Sequence, residues 1–249
     1  MNTDYNYITT TIKTICADIN LSYASENDGR LTSAIKEKEY LDLLEKKLLD
    51  KDPTFEIVRP KDRFWYDIKI NNIPINLKIT TGGTDNAFNK VAIIYTISGT
   101  EIDTKNMNYN KWFKLLMESK HKKIRDHKTE YHYLVINKNN NKFLLKSIID
   151  IHSFKTNPSN DLQINWSNEF NNIDHKTPDL DFIKKIKQII TCVQASVKQA
   201  ITGMKEFAES DIDMMFLEKE TSNLLISTPV IPIPPTDVIK KTKPKTNVI

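Results

Sequence analysis

The segment that most constrains how this chain can fold is residues 63–80, with the sequence RFWYDIKINNIPINLKIT. Two runs of alternating apolar residues flank the pair Asn71-Asn72. Asparagine tolerates the positive φ angles that a two-residue type I′ turn requires. The pattern therefore predicts a β-hairpin in which Ile68 faces Ile75.

The two faces of the predicted hairpin differ in chemistry, because side chains alternate across a strand. One face is apolar and is expected to enter the core; it carries Phe64, Tyr66, Ile68, Ile70, Ile73, Ile75, Leu77 and Ile79. The opposite face carries Asp67, Lys69, Asn76 and Lys78. The register places Asp67 opposite Asn76, with Lys78 two residues further along. We expect an acid, an amide oxygen and a lysine to converge on this face.

Such a group of side chains suits the cleavage of a phosphodiester. Mg²⁺ prefers oxygen ligands, and it can lower the pKa of a bound water and neutralise charge on a phosphate. A lysine ammonium can orient that water and stabilise the pentavalent oxygens. The alternative is an amphipathic hairpin whose polar face is only solvated.

The hairpin resembles the PD-(D/E)xK nuclease superfamily, in which an Asp begins one strand and an acid-x-Lys triplet lies on the next. Asp67 matches the first acid and Asn76-Leu77-Lys78 the triplet, and the likeness extends over roughly residues 30–100. Two positions depart from the pattern, since Tyr66 stands in place of Pro and Asn76 in place of an acid. The resemblance implies a Mg²⁺-dependent DNA endonuclease, most closely a type II restriction enzyme.

A helix rich in lysine and glutamate is predicted just before the hairpin, over residues 31–50. Its apolar positions are Ala34, Tyr40, Leu41, Leu44 and Leu48. The resemblance implies that a glutamate of this helix joins the metal site. Glu37 and Glu39 are the candidates, and Glu39 could supply the charge that Asn76 lacks. Arg30, at the helix start, is a candidate DNA contact. A merely solvated face with internal ion pairs is the alternative.

A polar loop follows the hairpin, with the sequence TTGGTDNAFNK over residues 80–90. Glycine allows close backbone approach to a ligand, and small hydrogen-bonding side chains suit phosphate or base contacts. We therefore expect the loop to face DNA through Gly82, Gly83, Thr84, Asn86, Asn89 and Lys90. The alternative is an ordinary connection. A basic segment at residues 120–128 is likewise either a phosphate contact or a solvated helix end.

The remaining pattern predicts an α/β fold with a mixed central sheet of about five strands flanked by helices, as in restriction endonucleases. Besides the hairpin, strands are expected at 91–97, 131–136 and 143–148, and helices at 111–122 and 179–209. We expect a single nuclease-like domain over 1–226, with a core at about 30–150 and a helical part at 151–226. A Pro/Lys-rich tail at 227–249 is expected to be disordered.

Composition narrows the function classes. The chain has 249 residues and no apolar run of the ~18 residues that a membrane span needs. Cys16 and Cys192 alone cannot form a cysteine-rich zinc site, and they fit a cytoplasmic protein. The net charge of +4 permits binding to nucleic acid without requiring it. We expect double-stranded DNA as substrate and a homodimer that matches a palindromic site. The alternatives are a structure-specific repair or recombination nuclease and a non-catalytic nucleic-acid-binding protein with a degenerate nuclease fold.

Overall fold

A mixed five-stranded sheet flanked by helices organises the computed structural model of the chain, which describes residues 4–21, 29–60, 64–85, 89–103, 108–118 and 120–209. Side chains are described throughout these ranges except at 29–34, 85 and 207–209. The predicted tail at 227–249 and the candidate Asn86 lie outside the described residues. The first compact unit runs from Met1 to Met204, and the described residues of the second unit continue the last helix.

Eight strands and six α-helices occur in the described ranges. The strands are β1 (Ile57–Val58), β2 (Ile68–Ile70), β3 (Ile73–Thr80), β4 (Thr84–Asp85), β5 (His132–Asn137), β6 (Phe143–Ser147), β7 (Lys155–Asn157) and β8 (Asp161–Asn165). The helices are α1 (Tyr5–Ala17), α2 (Gly29–Lys51), α3 (Lys90–Ser98), α4 (Tyr109–Glu118), α5 (Trp166–Asn171) and α6 (Phe182–Glu209). These elements confirm the predicted α/β class, the helix before the hairpin and the long helix near residue 200.

The central sheet has the strand order β1-β2-β3-β5-β6, and a smaller sheet has the order β4-β8-β7. β3 and β5 run parallel, whereas the other neighbours in the central sheet are antiparallel. Two apolar clusters cover its two faces. The first joins α1 and α2 to the sheet through Ile12, Tyr40, Leu44, Leu48, Ile75, Leu77 and Leu134. The second joins α3, α4 and α6 to it through Ala92, Ile94, Trp112, Tyr133, Val135 and Ile189.

The predicted hairpin turn, and the register of the three residue pairs next to it, are confirmed. Asn71 and Asn72 have φ angles of 44° and 71°, as a type I′ turn requires. Ile68 pairs with Ile75 in the ladder. The Asp67 amide also donates to the carbonyl of Ile75, over 3.0 Å, so two residues of the first strand oppose one of the second. The hairpin therefore contains a β-bulge at Asp67.

The bulge overturns the predicted orientation of the two aromatic residues before it. Tyr66 is buried, but in the cluster on the α3 face and not with Ile68. Phe64 is 46% exposed. An extra residue in one strand shifts everything before it by one place, so strict alternation does not extend past Asp67.

The predicted strand at 91–97 is wrong, because this segment forms α3. All seven of its residues are buried, so no alternation separates a strand from a helix that is buried all round. The ends decide the outcome: the Asn89 side chain accepts from the amides of Val91 and Ala92, and Gly99 ends the helix at φ 74°. The fifth strand of the sheet is instead the two-residue β1.

None of the helices in the described part of the chain has the length and apolar character that crossing a bilayer requires.

Candidate active site

Asp67 and Asn76 are in direct contact at the open edge of β3. The Asn76 amide Nδ2 donates to Asp67 Oδ2 over 2.7 Å, and the backbone amide of Leu77 donates to the same oxygen over 2.8 Å. In an unbroken ladder the Leu77 amide would bond to the carbonyl of Tyr66. Because the bulge ends the ladder, the Asp67 carboxylate takes that place and is held beside the strand.

A second carboxylate lies further along the same strand edge. Glu37 Oε1 of α2 accepts a long hydrogen bond from the amide of Ile79, over 3.4 Å. Amides two residues apart point to the same side of a strand and are roughly 7 Å apart. The carboxylates of Asp67 and Glu37 therefore accept from the amides of Leu77 and Ile79, the residues on either side of Lys78.

Glu39, the other predicted helix acid, does not share this arrangement. Its carboxylate pairs with Lys36 over 2.8 Å, and its side chain is 45% exposed. The two positions differ because residues two apart on a helix do not face the same way. Only Glu37 contacts β3, the strand that carries Asn76 and Lys78.

The electrostatics of Asp67 reflect a partly buried acid near cations. Burial raises its pKa above the ordinary value, while the Leu77 amide and the charges of Lys78 and Arg59 act in the opposite direction. The ammonium of Lys78 therefore acts on the Asp67 carboxylate through space. Asn76 and Lys78 lie beside Tyr133 and Val135 of the parallel strand, on the sheet face that α3 covers.

The residues at this edge include oxygen donors of the kind that a hard divalent cation prefers. The available donors are the carboxylates of Asp67 and Glu37 and the amide oxygen Oδ1 of Asn76, since the Asn76 nitrogen is engaged with Asp67. Three or more His, Cys, Asp or Glu residues placed to share a metal occur nowhere in the described part of the chain. A site here would thus depend on two carboxylates and one amide, with fewer charges than the usual pattern.

The predicted DNA contacts separate into structural and open positions. Asn89 caps α3 and also donates to the carbonyl of Trp65 over 3.1 Å. Lys90 pairs with Asp161 over 3.3 Å and lies 3.2 Å from the centre of the Tyr109 ring. Both side chains therefore have structural roles, which the loop sequence alone did not indicate. The side chain of Arg30 lies outside the described part.

The two glycines of the loop also differ. The Gly82 carbonyl accepts from the amide of Ser167 over 2.9 Å and from its hydroxyl. A Cβ on Gly82 would lie 2.8 Å from Ser167 Oγ, and its φ of 99° already favours glycine. A Cβ on Gly83 would meet nothing within 4 Å. Gly82 is therefore a structural contact, whereas Gly83 and Thr84 face open space or are exposed.

The basic segment at 120–128, expected as either a phosphate contact or a solvated helix end, is mostly exposed, with one buried exception. Its Arg125 is buried and binds Glu130 and Asp150. The spacing of Arg125 and Glu130 in the sequence does not indicate that they form a buried ion pair. The sequence also did not indicate that the turn at 138–142, between β5 and β6, lies beside Thr80 and Thr81. The parallel pairing of β3 with β5 is the feature that brings the two loops together.

No protein-family model matches this chain, and no curated protein matches it significantly.

Proposed function

We propose that this chain is a Mg²⁺-dependent endodeoxyribonuclease, and that it acts as a type II restriction enzyme on a specific double-stranded DNA site. The observation that carries the proposal is the pair of carboxylates, Asp67 and Glu37, which accept from the two β3 amides on either side of Lys78. Asn76, in contact with Asp67, completes the group. This arrangement supports the resemblance that the hairpin sequence indicated.

Each residue has a distinct part in the proposed reaction. Asp67 and Glu37, with the oxygen of Asn76, would hold Mg²⁺, which when bound supplies an acidified water and neutralises phosphate charge. Backbone amides fix both carboxylates before the substrate arrives, so little reorganisation is needed at the moment of reaction. The ammonium of Lys78 orients the attacking water and stabilises the negative oxygens of the transition state.

The direct test is cleavage of varied duplex DNA with Mg²⁺ by the wild type and by Asp67→Ala and Lys78→Ala. We expect each substitution to lower the single-turnover rate by at least about 10²-fold, the scale of losing one electrostatic contact to the transition state. Cleavage that survives both substitutions would remove this site from the proposal.

The helix acids offer a matched control within one turn of the chain. Glu37→Gln should slow cleavage by roughly 10-fold or more, whereas Glu39→Gln should leave the rate unchanged, because Glu39 pairs with Lys36 at the exposed surface. Equal effects of the two substitutions would contradict the assigned role of Glu37.

A second candidate function is non-catalytic binding of nucleic acid by a nuclease fold that has lost its chemistry. The observation that favours it is the hydrogen bond from Asn76 to Asp67, which satisfies the carboxylate without a metal. Calorimetric titration with Mg²⁺ and Mn²⁺ separates the two proposals. Metal binding that Asp67→Ala abolishes supports the enzyme, whereas DNA binding without metal binding or cleavage supports the alternative.

The proposed restriction activity also implies a homodimer, because a twofold protein matches a palindromic site. Helix α6 ends in apolar residues that the first unit leaves exposed, Ile201 at 59% and Met204 at 69%. Sedimentation with and without DNA tests the dimer, and a monomer under both conditions would remove it. Cleavage that follows DNA structure and not one sequence would instead indicate a repair or recombination nuclease.

A further inference from the structure

Two loops meet where the parallel strands of the central sheet end. Thr80 of β3 pairs with Asn137 of β5, so the two strands reach the same edge together. The amide of Lys138 then donates to the carbonyl of Thr80 over 2.9 Å, and Asn139 Nδ2 donates to the carbonyl of Thr81 over 3.4 Å. We call this surface the rim, and define it as residues 80–84 and 138–142.

The second loop of the rim is held in one conformation by its own asparagines. Asn137 Oδ1 accepts from the amide of Asn139, and Asn140 Oδ1 accepts from the amide of Lys142, each over 3.0 Å. The amide of Asn137 donates to the carbonyl of Lys142 over 2.7 Å, and Asn141 has a φ of 55°. A loop fixed in this way loses little conformational entropy when it binds a ligand.

The first loop of the rim is anchored from its other side. Gly82 is bonded to Ser167, and Thr84 pairs with Asn165 in the small sheet. Gly83, between these anchors, faces open space. A ligand can therefore approach the backbone at Gly83 closely while the loop around it stays in place.

The exposed groups of the rim match a nucleic-acid backbone. Residues 80–84 and 138–142 contain no acid, and their side chains are hydroxyls, amides and the two lysines Lys138 and Lys142. Lys142 is exposed and Lys138 is half-buried. The rim begins two residues beyond Lys78, roughly 7 Å along the strand, which is within reach of phosphates next to the one that would be cut. Hydroxyls, amides and lysines are the usual protein donors to phosphate oxygens.

We propose that the rim binds the DNA backbone beside the scissile phosphate, with Lys138 and Lys142 each contacting a phosphate and the Gly83 backbone lying against the same strand. This assignment rests on the proposed nuclease function, since it places the substrate relative to the candidate active site. The two loops then have a role in positioning the substrate and none in the chemical step.

The test is the salt dependence of binding to a duplex of about 30 base pairs in EDTA, where no cleavage occurs. Each phosphate contact contributes roughly 0.9 to the slope of log K against log salt concentration, so Lys138→Ala with Lys142→Ala should lower that slope by about 1.8 for each bound protomer. The matched control replaces Lys187 and Lys198, two exposed lysines of α6, and changes the net charge equally. That control should leave the slope within about 0.5 of the wild type.

Glycine substitutions provide a second readout that separates binding from folding. Gly83→Ala should keep the melting temperature, because its Cβ meets nothing, but should weaken binding several-fold. A slope that the two lysine substitutions leave unchanged, in a protein that binds and cuts DNA, would overturn the rim and keep the nuclease. Lysine-dependent binding without any Mg²⁺-dependent cleavage would keep the rim as a DNA-binding surface but overturn the nuclease and the placement beside a scissile phosphate. Absence of DNA binding would overturn both proposals.

Discussion

Two groups of charged residues in this protein use the same residue types in opposite ways. One is the candidate active site around Asp67, Asn76 and Lys78 at the β3 edge. The other is a cluster around Arg125, which joins Glu130 and Asp150 beneath the segment after α5. In both, a carboxylate is influenced by a basic side chain, but the groups that donate hydrogen bonds to the carboxylate differ.

The Arg125 cluster is closed. Arg125 Nε and Nη2 donate to the two oxygens of Glu130 over 2.7 and 3.0 Å, and Nη2 also donates to Asp150 over 2.9 Å. Asp150 accepts from the amide of Thr177 as well, over 2.9 Å. Burial alone would lower the pKa of Arg125, but the hydrogen bonds and charges of Glu130 and Asp150 outweigh it and raise that pKa. Arg125, Glu130 and Asp150 are therefore paired with opposite charges inside the protein.

Asp67 at the β3 edge differs, because the Asn76 side-chain amide and the Leu77 backbone amide, and not a bidentate guanidinium, donate to its carboxylate. Burial raises the pKa of Asp67 in spite of Lys78 and Arg59. The folded protein therefore holds an acid whose charge its surroundings only partly stabilise. A cluster whose charges are paired with one another stabilises the fold, whereas a carboxylate whose charge is only partly stabilised is suited to binding a cation or a substrate. Three measurements can sharpen or break this contrast.

The largest effect is expected from Arg125→Met. The substitution leaves Glu130 and Asp150 buried without their cation, which typically costs 3–5 kcal/mol. Urea denaturation should show this loss in the free energy of unfolding.

Arg59→Met is the matched control, because Arg59 also contacts two carboxylates, Asp42 over 3.2 Å and Glu45 over 3.3 Å, but at the surface. Its expected cost is within about 1 kcal/mol. Similar losses for the two variants would contradict the distinction between a closed cluster and a surface pair.

An intermediate effect is expected from Asn76→Asp. The substitution puts a second carboxylate where a nitrogen now lies 2.7 Å from Asp67 Oδ2. Two acids so close repel, so the melting temperature in EDTA at neutral pH should fall, and Mg²⁺ should restore it. We expect the affinity for Mg²⁺ to rise about tenfold, or 1.4 kcal/mol, in a calorimetric titration.

Asn20→Asp, at an exposed loop position, adds the same charge and should change neither the metal affinity nor the melting temperature measurably. If Mg²⁺ stabilises Asn76→Asp no more than the wild type, the β3 edge is not a latent cation site.

Part of the β3 edge could be predicted from the sequence, whereas the Arg125 cluster could not. The hairpin turn and the pairing of Ile68 with Ile75 followed from local chemistry, since Asn71 and Asn72 specify the turn. Local pattern failed where tertiary packing decides, as in α3, whose residues are buried on all sides, and at the bulge that turned Tyr66 to the other face.

The partners that depend on long-range contacts were not predictable in the same way. The choice between Glu37 and Glu39 depends on how α2 rotates over the sheet, and helical spacing alone allows either. The Arg125 cluster joins residues far apart in sequence, Asp150 and Thr177 among them. Only the parallel pairing of β3 and β5 could have indicated the rim, and strand order is not encoded in any single segment.

The smallest effect is expected from Asp67→Asn, and its sign is the informative part. Because burial raises the pKa of Asp67, the folded state favours the protonated acid, and the stability from this group is lost as the pH rises from its ordinary value of about 4 through the raised value. Asparagine does not titrate. The melting temperature of the variant relative to the wild type should therefore increase between pH 4 and pH 8 in EDTA. Asp50→Asn, at an exposed position of α2, should show no such trend. A variant that instead loses stability as the pH rises would mean that the ionised Asp67 is as well satisfied as the carboxylates around Arg125, and the two regions would then not differ in the way proposed.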